Sequence, residues 1–250
     1  NAVAGGYFSL WRATGQPGQG AIPTTVASCN HTTLGSMGFT QQVSPATSYG
    51  GWANAVCSNS AVTLEVHDRL RHMGGLNATL TTAQTVALTL NGITADNMAQ
   101  RIGDANFSDV QWWAEWYADT GATASNATVT VTYNDGTTGN LTTFAAGGTI
   151  RAGRMIPLNQ LIPAAASGKY IRSIDSVQLS ASTATAGNFG FTCTRPRLTM
   201  PLLLANKMEI FDWAQLGFPE IFNSSCLTII ELCSTTSTGT VRGGGKIIHG

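Results

Sequence analysis

Charge is what this chain most lacks. Charged residues make up 10% of its 250 residues, against about 25% in an ordinary globular protein. The 13 Lys and Arg balance the 13 Asp and Glu, for a formal net charge of +0. Lys is nearly absent, standing only at Lys169, Lys207 and Lys246. Such a balance gives no whole-chain pull toward nucleic acid or an anionic membrane. A surface this uncharged is poorly protected against association. It suits a protein covered by other subunits, although a Thr-rich soluble β domain would show the same totals.

Other absences narrow the chemistry. The best candidate for a membrane span, residues 200–205, is far short of the roughly 20 residues that span a bilayer. No charged-then-apolar signal opens the chain. It begins at Asn1 without Met, so the first residue is expected to be processed or absent. The cysteines (Cys29, Cys57, Cys193, Cys226, Cys233) are odd in number and lack CxxC spacing. They read as free buried thiols of a protein made in a reducing cytoplasm, not as a zinc site or disulfide framework. GxSxG, HExxH, Walker and Asp-x-Asp patterns are all missing. No catalytic, cofactor-binding or metal-ligating residue is therefore assigned.

What is present is strand. From Gln111 to Tyr117 the aromatic run alternates, with Trp112, Ala114 and Trp116 on one face and Gln111, Trp113, Glu115 and Tyr117 on the other. That is the period of a strand. Residues 127–133 alternate Val with Thr, and Asn134-Asp135-Gly136 supplies a hairpin turn. Residues 60–70, 79–90, 139–145, 149–158, 170–179, 188–194, 226–233 and 240–248 add further strands. A turn is expected at Gly74-Gly75, a bulge near Asp175, and an edge or connecting segment between Pro196 and Pro201. The one convincing helix candidate is 206–217, with Asn206 as N-cap, Glu209 three residues later and Gly217 at its end. Many short antiparallel strands with almost no helix predict an all-β chain, a sandwich or jelly roll.

Residues 1–60 differ from the rest. Their Gly and Pro leave no long periodic segment. They read as an irregular N-terminal arm preceding a jelly-roll-like sandwich domain at 61–250. An ordinary irregular β region, with short strands near Phe8 and Val26, is the alternative. On the arm reading Tyr7, Phe8, Leu10, Trp11 and Arg12 are the expected interface anchors. The segment buries too little of its own surface to offset the entropy of ordering it, so a neighbouring subunit must supply the difference.

Three groups could carry chemistry. Glu65 and His67 share a strand face, as a metal would need, but no second cluster completes a ligand set. Asp104 and Asp109 are paired carboxylates without a telling spacing. Trp112, Trp113 and Trp116 could stack on sugar, yet their opposite orientations place at least one in a core. Six Asn-x-Ser/Thr sequons occur (Asn30, Asn77, Asn106, Asn126, Asn140, Asn223). A chain rich in Ser and Thr makes such sequons by chance, so they say little about secretion.

Residues 7–20, 68–76 with 81–85, 153–158 and 186–190 together resemble virion structural proteins of tailed bacteriophages, of the capsid-decoration or cement type. The resemblance implies a β-rich homo-oligomer, dimer or trimer, bound over joints between major capsid subunits on the virion surface. It brings no catalytic residues, no cofactor, no nucleic acid and no membrane. A tail, neck or baseplate component, or a glycan-binding β-sandwich module, is the alternative.

Overall fold

The computed structural model describes residues 3–250. Strand accounts for 44% of the chain and helix for 7%, and the sheets are antiparallel, so the chain is all-β as expected. In chain order the first strands are β1 (Gly6–Ser9), β2 (Ala27–Ser28), β3 (Ser48–Cys57), β4 (Val62–Leu76) and β5 (Gln84–Thr89). Then come β6 (Gln111–Ala118), β7 (Asn126–Tyr133), β8 (Thr138–Asn140), β9 (Phe144–Ala145), β10 (Arg154–Pro157) and β11 (Ile171–Leu179). The last are β12 (Asn188–Leu202), β13 (Glu209–Asp212), β14 (Glu220–Ile221), β15 (Leu227–Cys233) and β16 (Val241–His249). Among the described residues, helix is confined to α1 (Met98–Ile102), α2 (Trp213–Leu216) and three short 3-10 turns.

The chain forms two compact units. Unit 1 is Asn1–Gly20, Cys29–Arg69 and Arg195–Gly250; unit 2 is Ala21–Ser28 and Leu70–Thr194. The expected boundary near residue 60 falls inside unit 1. β4 and β12 contribute residues to both units.

In unit 2, β6 lies between β12 and β10, and a second sheet runs β5-β11-β7-β8 with β9 on β7. Trp112, Ala114 and Trp116 turn into a core shared with Leu88, Val129, Val131, Ile174, Phe189 and Phe191. The opposite face of β6 is buried too. Its polar atoms are satisfied: Trp113 Nε1 donates to Thr194 Oγ1 at 2.8 Å, and Tyr117 OH donates to Glu115 Oε2 at 3.0 Å. An aromatic run can be buried on both faces when most of its polar atoms find partners; the buried Trp116 Nε1 is the exception and has none. The register of β11 shifts between Ile174 and Ser176 against both neighbours, the bulge expected near Asp175.

Gly74-Gly75 does not turn the chain, because β4 runs through it to Leu76. A Cβ on Gly74 would stand 2.4 Å from the Pro23 carbonyl oxygen, so this glycine serves a close backbone approach.

In unit 1, β1 pairs with β15 and β15 with β4, while β3 carries β16, β13 and β14. The inward residues of both groups form one apolar cluster, including Ala53, Ala55, Leu64, Val66, Met200, Phe211 and Ile221. The predicted helix over 206–217 is mostly something else. Asn206 has φ +58, residues Glu209–Asp212 are strand, and only Trp213–Leu216 is helical. The cap is Asp212: its side chain accepts from Ala214 and Gln215 N–H, and the Gln215 side chain reaches back to the Asp212 N–H. Gly217 does end the helix, at φ +72.

Candidate functional site

The expected interface anchors are largely used inside unit 1. β1 is hydrogen-bonded along β15, with Tyr7 opposite Leu232 and Phe8 opposite Glu231. Phe8 is 4% exposed and Trp11 1%. The Trp11 ring lies so close to Gly20 that a Cβ there would sit 2.0 Å from its Cε2, and the Arg69 guanidinium stands 4.3 Å from the ring centroid. The expectation that this segment buries little of its own surface is corrected by those two side chains. Tyr7, Leu10 and Arg12 remain half-buried, and Arg12 donates to the Gly20 carbonyl.

The aromatic platform is also corrected. Trp112, Trp113 and Trp116 are all buried, so none of these rings is open to a sugar. Glu65 and His67 do meet, at 2.9 Å, with His67 fully buried. Among the described residues no group of three or more His, Cys, Asp or Glu could hold a metal ion. Three of the six sequons are Asx turns. Asn30, Asn77 and Asn106 each accept, through Oδ1, the backbone N–H two residues on, at 3.0, 2.8 and 2.8 Å. That turn is the local reason an Asn precedes a Ser or Thr at this spacing. All five cysteines are buried and none is in a disulfide. A hydrogen bond from the Cys29 thiol holds Cys226 below its ordinary pKa.

An exposed apolar face lies elsewhere, on the β3 sheet of unit 1. β3 turns Ala53, Ala55 and Cys57 inward and Trp52, Asn54 and Val56 outward. Its neighbours follow the same phase. On β13, Ile210 stands opposite Asn54 and Asp212 opposite Trp52, while on β16 Lys246 stands opposite Trp52. At the other end of β3, Ile248 stands opposite Tyr49. The single turn of α2 sets Trp213 into solvent at 60% exposure, beside Ile210 on β13 at 59%. Phe218, just past the helix, stacks on Tyr49 at 4.8 Å and takes the Trp213 ring edge-on at 6.5 Å. Leu203, Leu204 and Met208 in the preceding loop are exposed as well. Isolated exposed apolar residues are ordinary, but rings and aliphatics joined by strand register and stacking mark an interaction site. The Asp212 carboxylate at the centre is occupied, with Oδ1 accepting from Ala214 and Gln215 N–H at 3.0 Å each.

Behind this sheet is a cavity of about 610 Å³, lined by Met37, Phe39, Leu64, Val66, Leu198, Met200 and Ile229 among others. Ala53 and Ala55 on β3 and Gly243 and Gly245 on β16 are among its lining residues. Nearby on β15, Glu231 is fully buried and burial pushes its carboxyl up to about 7. Neither feature brings a nucleophile, a base and an orienting group together.

The face was missed because residues 206–217 read as one helix. The available signal was the number of large apolar residues in and around that segment: Met208, Ile210, Phe211, Trp213 and Leu216 within it, and Leu203, Leu204 and Phe218 beside it, are more than one face of a short helix can bury.

No family model matches this chain, and no curated protein matches it. Among solved structures it is similar to the VP2 subviral particle of infectious bursal disease virus at 12% identity and TM-score 0.15, over 100% of this chain and 77% of that one. The Gt strain of the same virus gives 11% identity and TM-score 0.15, over 99% and 77%. Likeness at that level carries no argument about fold or function.

Proposed function

We propose that this chain is a structural virion protein of the tailed-phage decoration type, bound across major capsid subunits and assembled as a homo-oligomer. In this reading its sheets form a jelly-roll-like sandwich, and unit 1 docks on the capsid surface through the face of Trp52, Ile210, Trp213 and Phe218. The observation that carries it is that face, exposed on a chain with only 10% charged residues. Exposed rings and aliphatics clustered on so weakly charged a protein favour a standing interface over solitary life in solution. The chain needs no catalytic residue for this task and none is assigned.

Purified particles are expected to hold the chain at a copy number comparable to that of the major capsid protein, counted by mass spectrometry. A handful of copies per particle moves it to the tail, neck or baseplate, and absence from particles overturns the proposal. Trp213→Ser with Ile210→Ser should fold normally, since exposed substitutions change stability by about 0.5 kcal/mol or less, yet lose particle binding.

A second reading, a glycan-binding module, would now rest on the exposed Trp213 and Trp52 rings in place of the three buried ones. It requires tryptophan emission to change when cell-surface glycans are added, and the change to vanish in Trp213→Ser.

A further inference from the structure

We propose that β16 is a strand-addition site, and that it takes an extended partner segment in which acidic residues alternate with apolar ones. The proposal rests on the docking reading above and names the chemistry of the partner. β16 pairs with β3 on one side, and among the described residues no strand pairs with its other edge. Residues 242–246 are all exposed. An open edge of this kind is a template for another chain, and proteins blunt such edges with Pro, bulges or charge. Here there is no Pro, and the register shift lies at Lys246/Ile247, so the stretch Val241–Lys246 is left regular. Gly243, Gly244 and Gly245 place no side chain in the way. Asn54 Oδ1 accepts the Gly244 N–H at 2.8 Å, which holds the middle of the strand to β3.

The two faces of this edge ask for different side chains. Arg242 and Lys246 lie four residues apart on the outer face, opposite Val56 and Trp52. Both are exposed, and no carboxylate among the described residues pairs with either. Gly243 and Gly245 stand opposite Ala55 and Ala53 on the inner face, over the apolar cavity of about 610 Å³. An added strand would thus set one row of side chains beside the two cations and the alternate row over the cavity. Backbone pairing supplies affinity in this mode, and pockets for alternate side chains supply specificity. A second copy of β16 fits poorly. Antiparallel self-pairing centred on Gly244 would set Arg242 against Lys246, and like charges directly opposite are destabilising.

The test uses two labelled synthetic peptides, Val-Glu-Val-Thr-Val-Glu-Val and the same peptide with Lys in place of Glu. Binding to the full chain is read by fluorescence anisotropy at low salt. The wild type should bind the Glu peptide about tenfold tighter, as two cross-strand charge pairs change from repulsive to attractive. Arg242→Glu with Lys246→Glu should invert that preference. A wild type that shows no preference, or a reversed chain that keeps the original one, overturns the proposal. Particle binding by the reversed chain separates the two readings. If the peptides show no preference while the reversed chain still loads onto particles at wild-type copy number, strand addition fails and the capsid role stands. If the wild type is absent from particles, the capsid role fails whatever the peptides do.

Discussion

Glu231 should make the stability of this protein fall as pH rises from about 4.5 toward neutrality. Its carboxyl is fully buried on β15, opposite Phe8 in one ladder and Leu64 in the other. Oε1 accepts only the Cys233 thiol, at 3.5 Å, and Oε2 has no hydrogen-bond partner. Burial without a compensating cation disfavours the carboxylate and moves its pKa from 4.5 to about 7. The folded state therefore holds a proton that the unfolded state has released. Stability from this group is fully present below about pH 4.5, falls between there and about 7, and is flat above. At about 1.4 kcal/mol per tenfold change in proton affinity, the loss is about 3 kcal/mol. Two other carboxyls move the opposite way. Asp119, held low by the Ala152 N–H and by Arg151, and Asp135, held low by Lys169, lose their contributions only at acid pH, outside this window.

Glu231→Gln keeps the shape and removes the titration. Its amide brings new donors into an apolar site, a cost that does not depend on pH. The readout is consequently the change with pH of the stability difference between variant and wild type. Urea unfolding followed by tryptophan emission at pH 5, 6, 7 and 8 should show that difference shift by about 2.5 kcal/mol in the variant's favour between the extremes. A difference that stays constant from pH 5 to 8 would refute the reasoning, since Glu231 would then be ionised or solvated in the folded state.

Two further perturbations test the packing. Trp11→Ala should cost about 3–5 kcal/mol in urea unfolding, because the ring is buried against Gly20 and Gly35 and lies under Arg69; an unchanged midpoint would return residues 1–20 to the status of an arm. Gly190→Ala should cost about 3 kcal/mol or more, because its Cβ would sit 1.9 Å from the Met73 carbonyl oxygen, backbone against backbone; calorimetry showing a wild-type melting temperature would mean that β4 and β12 separate freely there.

Strand content was legible where side chains alternate and are large. The Val/Thr alternation of β7 and the aromatic run of β6 state their period openly, and the out-of-step Ile174 announced the bulge in β11. β3 was not legible. Its inward residues are Ala53, Ala55 and Cys57, and Gly50-Gly51 interrupts its start, so ten residues of strand look like loop. The partition into units was hidden for another reason. Unit 1 is assembled from three separated segments, and no composition shift along one chain can report that Trp11 packs under Arg69. Gly and Pro in residues 1–60 signal irregular backbone, and irregular backbone is compatible with a buried ring.

The candidate face was illegible because its residues take their exposure from structure that the local sequence does not contain. Residues 206–217 satisfy a helix pattern, and as one helix they would have turned their apolar side inward. What divides them is the pairing of Glu209–Asp212 with β3, a strand some 150 positions earlier in the chain. Once Phe211 is committed inward opposite Ala53, the alternation of the strand forces Ile210 and Asp212 outward, and Asp212 then caps the one remaining turn. That turn is too short to bury a face of its own, so Trp213 is left in solvent. Its exposure thus follows from the register of β13 on β3. A shift of one residue in that register would bury Ile210 and expose Phe211, which ties the composition of the face to the ladder rather than to helix propensity.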